Sequence, residues 1–149
     1  DYYASRGLGD VYKRQLLDRL LASASIEQYL DEGLVSARTL TDYLFDRMEA
    51  HDLRRADVVR ASGLNATVVY DIFSGKSRPG RDHAIMLAFG LKCTLRETQR
   101  LLRLAGVSEL WCKQRRDAII IWCIRNGFDR IATDDELYRM GEATLLPAD

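Results

Sequence analysis

The run Arg55–Arg78, RADVVRASGLNATVVYDIFSGKSR, decides how this 149-residue chain folds. Apolar residues recur at spacings of three and four on both sides of Gly63, which places each set on one face of a helix. These residues are Val58, Val59 and Ala61 before the glycine, and Val68, Val69, Ile72 and Phe73 after it. Gly63 stands where the first helix must end and reverse, a position that favours positive φ. The run therefore predicts two short helices joined by a tight turn and followed by a basic loop.

Leu64 and Asn65 complete the predicted turn. Leu64 is placed to pack between the two helices. The side-chain oxygen of Asn65 is placed to accept a hydrogen bond from the free N–H groups that open the second helix. A helix, a turn containing glycine and a second helix form the pattern of DNA-binding helix-turn-helix proteins.

In these residues the chain resembles the Cro and phage-repressor (XRE-like) helix-turn-helix family. The resemblance rests on Ala61-Ser62-Gly63-Leu64-Asn65 and Ser74-Gly75-Lys76-Ser77-Arg78-Pro79, with Val69 and Ile72 between them. It extends over roughly Thr39 to Val107. It implies an all-α fold, a five-helix lambda-repressor-like helix-turn-helix bundle, here with an N-terminal helical arm and a C-terminal helical extension.

Three positions depart from the family pattern. Val59 replaces the small alanine usual in the middle of the first helix, which asks for looser packing between the helices. Arg55 replaces the usual glutamine, and Phe73 replaces a glutamate near the end of the second helix. These two changes alter the expected backbone and base contacts.

The composition is that of an ordinary globular protein, with 47% hydrophobic and 30% charged residues. Apolar spacing is helical throughout and strand-like alternation is nearly absent, which predicts an all-α fold. The 22 basic and 22 acidic residues give no net charge. Because neutralising phosphates supplies much of the affinity of DNA-binding proteins, a positive surface must here come from segregation of charge.

The cysteines and the hydropathy predict a cytoplasmic protein. Cys93, Cys112 and Cys123 are odd in number and lack CxxC spacing, so we expect reduced, buried thiols. The longest apolar run, Ala118–Ile124, is too short to span a bilayer, so no membrane is expected as a partner.

The sequence divides into four predicted segments. Residues 1–15 contain Ser5–Gln15, which resembles a translated sequencing adaptor, so we expect this segment to be non-native. Residues 16–38 form a helical arm, in which Ser25 and Gln28 have the spacing of a capping box. The arm is expected to pack on the core, with a dimer contact as the alternative. Residues 39–107 form the helix-turn-helix domain, and residues 108–149 form the C-terminal extension.

Within the domain, Thr39 with Asp42 and Thr94 with Glu97 are expected to cap helices. Between them, Asp82–Phe89 reads as the fourth helix of the domain, ended by Gly90.

The extension is predicted to contain two helices. Arg115–Asn126 is apolar on every face in its middle, so either the N-terminal arm and the last helix or a second subunit must cover it. Thr133 is expected to cap the last helix, and Leu145 and Leu146 are expected to tuck back. Trp111 and Trp122 read as core residues.

The outward face of the second helix in the quoted run would read bases. Ala66 and the methyl group of Thr67 could contact a thymine methyl, and Asp71 could accept from a cytosine amino group. Tyr70 borders them. The residues expected to bind phosphates are Arg55, Ser74, Lys76, Arg78 and Arg81. The face carries no Arg, Asn or Gln, so we expect modest affinity from one copy and binding as a homodimer.

Two hypotheses on function follow. The first is a sequence-specific transcriptional regulator of the XRE-like type that binds double-stranded DNA. The second is a helix-turn-helix scaffold used as a protein-interaction module, which the neutral charge and Asp71 favour. No catalytic arrangement is visible, so an enzyme is not expected. His51 has no second ligand at metal-binding spacing, and neither a cofactor nor a small-molecule ligand is evident.

Overall fold

The computed structural model describes residues 13–31 and 39–147, and the statements below refer to these residues. All of their regular secondary structure is α-helical, which confirms the predicted all-α class. The chain divides into two compact units after Arg38.

In the first unit, residues 13–22 are helical (α1) and α2 spans Ile26–Asp31. Ser25 Oγ accepts from the Gln28 N–H at 3.1 Å, as the capping-box spacing predicts. The Gln28 side chain instead accepts from the N–H of Ala24, at 2.9 Å. Most of the predicted adaptor segment, residues 1–12, lies outside the described residues.

The second unit contains seven helices in the range that the structure describes. They are α3 (Leu40–Ala50), α4 (Arg55–Ser62), α5 (Ala66–Phe73), α6 (Arg81–Gly90), α7 (Leu95–Leu104), α8 (Arg115–Arg125) and α9 (Arg130–Arg139). Helix α6 lies centrally and contacts α4, α7 and α9. It buries five consecutive residues, Ala84–Ala88. The core therefore forms around α6 and extends to α8, which contacts α7 and α9.

The turn between α4 and α5 has the geometry that the sequence predicts. Gly63 adopts φ 77°, in the left-handed region. Asn65 Oδ1 accepts from the Thr67 N–H at 2.8 Å, and Leu64 is buried. The predicted inward face of α4 is wrong at the end of the helix. Ala61, which was predicted to face the core, is exposed, and Ser62 is buried instead. The Ser62 hydroxyl makes this possible because it donates to the Val59 carbonyl and accepts from the Leu64 N–H.

Gly90 is the last residue of α6, and Leu91 caps the helix. Gly90 itself does not adopt the left-handed conformation. A Cβ atom at Gly90 would lie 2.9 Å from both the Val58 carbonyl oxygen and the Ser62 Cβ. The absent side chain therefore lets α4 and α6 approach closely, which is a packing role rather than the predicted stop signal.

The two predicted caps of the domain are both present. Thr39 and Asp42 form a capping box at α3, and Thr94 and Glu97 form one at α7. Buried Gln99 then fixes the chain after α7, because its side chain exchanges hydrogen bonds with both the N–H and the carbonyl of Leu110.

Two neighbouring ion pairs join α6 to α8. Arg81 donates to both carboxylate oxygens of Asp117, at 3.0 and 2.7 Å. Arg116 donates to both oxygens of Asp82, at 2.9 and 3.0 Å. The arginine of each Arg-Asp dipeptide thus pairs with the aspartate of the other. We call these four residues the clamp. The bidentate geometry ties the extension to the domain.

The last helix begins a turn earlier than predicted. Asp129 caps α9 by accepting from the Ala132 N–H, whereas Thr133 is buried inside the helix. Asp134 accepts from the N–H groups of Leu145 and Leu146, at 2.6 and 3.2 Å. These bonds hold the C-terminal segment, and Leu145 is buried as expected, whereas Leu146 is 39% exposed and its predicted burial is wrong.

Two further expectations for the extension are wrong. Trp111 and Trp122 are 37% and 54% exposed, so neither is a core residue. Cys112 is exposed, whereas Cys123 is buried as predicted. Among the described residues of the second unit, α8 buries Ile120 and Cys123 on one face and leaves Trp122 exposed, so its covering by the arm or by a second subunit stays a prediction.

None of the helices in the described ranges is long and apolar enough to cross a membrane.

Candidate nucleic-acid interface

Helix α5 presents one polar face to solvent. Ala66, Thr67, Tyr70 and Ser74 are exposed, and Asp71 is half-buried. The opposite face is held in the core by Val69, Ile72 and Phe73, each no more than 2% exposed. The structure therefore brings all four residues predicted to read bases to one accessible face, which is the arrangement expected from the spacing of apolar residues.

Phe73 explains one departure from the resembled family. Its ring packs edge-on against the exposed ring of Phe45 in α3, with centroids 5.3 Å apart and planes at 87°. A glutamate at this buried position would lack that contact and carry an unpaired charge. Phe45 was not among the predicted site residues, because its contact with α5 joins residues 28 positions apart in the sequence.

Arg55 packs on the candidate face. Its guanidinium carbon lies 5.1 Å from the centroid of the Tyr70 ring, in the range of a cation–π contact. This contact joins the start of α4 to the middle of α5, so one exposed cation borders the aromatic residue. Arg54, which was not among the predicted site residues, is also exposed, and its Nε lies 3.6 Å from Asp57 Oδ2.

The end of α5 is pinned by the backbone carbonyl of Asp71. This oxygen accepts from the Ser74 hydroxyl at 3.1 Å, from the Lys76 N–H at 2.9 Å and from the Ser77 N–H at 3.2 Å. Gly75 adopts φ 80° between them. The exit loop therefore has a defined start, and no described residue pairs with the carboxylate of Asp71.

Two of the loop cations remain accessible. Lys76 is exposed and has no ion-pair partner in the part of the chain that the structure describes. Arg78 is exposed and donates one hydrogen bond, at 3.2 Å, to the Leu104 carbonyl at the end of α7. A cation at this position also stabilises the negative end of the helix dipole.

Arg81 is not placed as a phosphate contact. It pairs with Asp117 in the clamp, and it also donates to the carbonyls of Ser108 and Glu109, each at 3.0 Å. Its guanidinium is thus committed to α8 and to the connection before it. Local spacing could not indicate this pairing, because Asp117 lies 36 residues away in the sequence.

A second polar cluster lies between α3 and α7, away from the α5 face. Glu97 accepts from Arg47 and lies 3.4 Å from His51 Nε2. Burial acts to raise the pKa of Glu97, but hydrogen bonds from the Thr94 N–H, Arg47 and His51 outweigh it and hold the pKa below its usual value. His51 thus has a partner in the fold, and no group of His, Cys, Asp and Glu fit for a metal ion occurs among the described residues.

No protein-family model matches the chain, and no match is found among curated proteins or solved structures.

Proposed function

We propose that this chain is a sequence-specific transcriptional regulator of the XRE-like helix-turn-helix type, which binds double-stranded DNA as a homodimer in the cytoplasm. One observation carries the proposal. The polar face of α5 is exposed along its length, and the cations of Arg55 and Lys76 border it.

The dimensions of α5 support this reading. Its eight residues give a length of about 12 Å at the usual rise, comparable with the width of the major groove. Helix α4 and the Gly63 turn leave the start of α5 uncovered, since Ala66 and Thr67 are both exposed. The first turns of a recognition helix are the part that meets base edges.

The proposed contacts divide into two kinds. Ala66 and the Thr67 methyl pack on thymine methyls, Asp71 accepts from a cytosine amino group, and Tyr70 reaches the edge of the site. The phosphate contacts come from Arg55, Ser74, Lys76 and Arg78. Arg81 leaves this set because it belongs to the clamp.

Dimer formation compensates for a weak single site. The α5 face offers no bidentate fork to a guanine or adenine, so each subunit supplies modest discrimination. Two copies on half-sites about 34 Å apart would add their contacts, as in other helix-turn-helix dimers. Size-exclusion chromatography with light scattering tests this part separately from DNA binding.

The direct test is selection of bound sequences from a random duplex pool, followed by polarisation titrations at several salt concentrations. We expect an enriched palindromic sequence, with log affinity falling by about 0.9 per phosphate contact for each unit of log salt. The Lys76→Ala, Arg78→Ala double variant should weaken binding to all sequences alike, whereas Thr67→Ala should change the selected sequence. Lys113→Ala, at an exposed lysine outside this face, is the matched control.

The alternative is a protein-interaction module built on the same scaffold. The withdrawal of Arg81 into the clamp and the carboxylate of Asp71 both reduce the positive potential of the face. If no duplex binds even at low salt, the interaction module replaces the regulator as the function of this face. If duplexes bind but Asp71→Ala merely tightens binding to every sequence, the base-reading role of Asp71 is wrong.

A further inference from the structure

A pocket of about 580 Å³ lies on the other side of the α4–α5 turn, between α4, the α6–α7 connection and the α8–α9 connection. Its apolar lining comes from Phe89, Ile124, Phe128 and Ile131. The volume falls within the range of small-molecule sites, which are mostly apolar and carry a few polar groups. The pocket shares no residue with the proposed DNA-binding face.

The polar groups of the pocket are mainly cationic. Lys92 is exposed and has no ion-pair partner among residues 13–31 and 39–147. Arg130 donates from Nη1 to Asp134 at 2.8 Å, but its Nε is buried and makes no hydrogen bond to any described residue. This Nε lies against the Gly63 turn, so Arg130 contributes positive charge to the pocket rather than a free donor.

Negative charge in the lining is small. Asp129 contributes the one carboxylate, and its Oδ1 already accepts from the Ala132 N–H. Cys93 also lines the pocket, and burial raises the pKa of its thiol to about 12, so it is neutral at physiological pH. Three cations line the pocket, Arg60, Lys92 and Arg130, and of these Arg60 pairs with Asp57 and Arg130 with Asp134. An anionic head group therefore meets a surplus of positive charge and little repulsion.

We propose that this pocket binds a small amphipathic carboxylate, with its apolar tail against the aromatic and aliphatic lining and its head group between Lys92 and Arg130. The aromatic rings of Phe89 and Phe128 supply apolar area, and the positive charges of Lys92 and Arg130 favour a carboxylate over a neutral or cationic head group.

The pocket touches the α4–α5 turn through Arg130. A Cβ atom at Gly63 would lie 2.6 Å from Arg130 Nε and 2.9 Å from Cζ, so the guanidinium rests directly on the turn. A ligand that interacts with Arg130 would therefore affect the turn that precedes α5. Regulation of DNA affinity by this route rests on the proposed function, whereas ligand binding does not.

The test uses three probes with the same tail: decanoate, decanol and decyltrimethylammonium. Binding to the full chain is followed by titration calorimetry and by tryptophan fluorescence, since the Trp122 ring lies 5.3 Å from the Phe128 ring that lines the pocket. We expect decanoate to bind with one site per chain and to raise Tm. Equal binding of decanol, or stronger binding of the cationic probe, overturns the proposal.

Variants locate the site. Lys92→Glu should weaken decanoate binding by about tenfold or more, since a charged hydrogen bond is lost and a repulsion is gained. Lys113→Glu, the same change at an exposed lysine outside the pocket, should leave it unaltered. Ala61→Trp, at an exposed lining position of α4, should fill the pocket and abolish binding. Undiminished binding in either pocket variant contradicts the site.

A separate titration measures DNA affinity with and without decanoate. If no DNA binding is found in this titration, only the proposed function is contradicted. Calorimetry on the protein without DNA still tests whether the pocket binds decanoate. Binding of decanoate with no change in DNA affinity would overturn the coupling through Arg130.

Discussion

At the scale of single residues, Gly63 meets two requirements that different parts of the chain impose. Its φ of 77° is set by the local turn, whereas the space at its Cα is closed by Arg130, far along the sequence. Arg130 cannot easily move aside, since its side chain is 11% exposed and pairs with Asp134.

Gly63→Ala should therefore cost more than an ordinary substitution at positive φ. We expect a loss of about 2–3 kcal/mol in the free energy of unfolding, from backbone strain and displacement of Arg130. Gly141→Ala is the matched control: its φ is 78° and nothing lies within 4 Å of the added Cβ, so about 1 kcal/mol is expected. Urea unfolding measures both, and equal losses would show that Arg130 yields freely.

Gly90→Ala should destabilise the fold although alanine is the better helix former. Helix propensity alone predicts a gain of up to about 1 kcal/mol, but the added methyl would meet the Val58 carbonyl in α4. We expect a net loss of about 1–3 kcal/mol, as for other overpacked sites. Gly80→Ala, where nothing lies within 4 Å, should change stability by less than about 0.5 kcal/mol. A stabilised Gly90→Ala variant in thermal unfolding would contradict the close approach of α4 and α6.

These residues mark what the sequence can supply. The roles of Gly63 and Asn65 follow from neighbours within four positions, so local spacing predicts them. The role of Gly90 depends on α4, and that of Arg81 depends on Asp117 in α8. Local sequence patterns do not reveal contacts between distant residues. For this reason the sequence predicts Gly90 as a helix stop and Arg81 as a loop cation.

At the scale of elements, the helix ends are set by short-range hydrogen bonds and are mostly predictable. Thr39 and Thr94 cap the helices that their capping-box spacing predicts. The predicted cap at Thr133 is wrong because Asp129, one turn earlier, accepts the hydrogen bond from the Ala132 N–H. Thr133 therefore lies inside the helix. Two competing caps four residues apart cannot be ranked without knowing that Thr133 is buried.

The capping residue Glu97 should give the fold a defined acid sensitivity. Its pKa lies below the usual 4.5 in the folded chain, so ionised Glu97 stabilises the fold above that pH. This contribution is lost as pH falls through the lower, folded-state pKa. We expect Glu97→Gln to cost about 1–2 kcal/mol at neutral pH, and the difference from the parent to narrow below pH 4.5.

Chemical unfolding at a series of pH values measures the Glu97 effect. Glu49→Gln, at an exposed position of α3, should leave the pH dependence of the parent unchanged. A Glu97→Gln deficit that stays constant from neutral to acidic pH would mean that the carboxylate is not preferentially ionised in the folded chain.

At the scale of the whole molecule, the second unit runs from Thr39 to the end of the chain without a break. The clamp and the bonds of Gln99 to Leu110 explain why, since both join the domain to the extension through buried groups. We therefore expect residues 39–147 to open in one cooperative step.

Asp117→Ala should lower the stability of the domain and of the extension together. Asp117 is 2% exposed, and its removal leaves the charge of Arg81 without its carboxylate partner, so a loss of about 3–5 kcal/mol is expected. Asp82→Ala, at the half-exposed pair of the clamp, should cost about 1 kcal/mol or less. Hydrogen exchange should show equal loss of protection at Val69 and at Ile120. Loss confined to Ile120 would indicate two separately folding parts.

The contact between Gly63 and Arg130 also predicts how relatives of this chain vary. A side chain at the first position requires a shorter one at the second, so the two positions should change as a pair. An ancestor that carried alanine in the turn would need serine or alanine where this chain has Arg130, and the neighbouring pocket would then lose part of its positive charge.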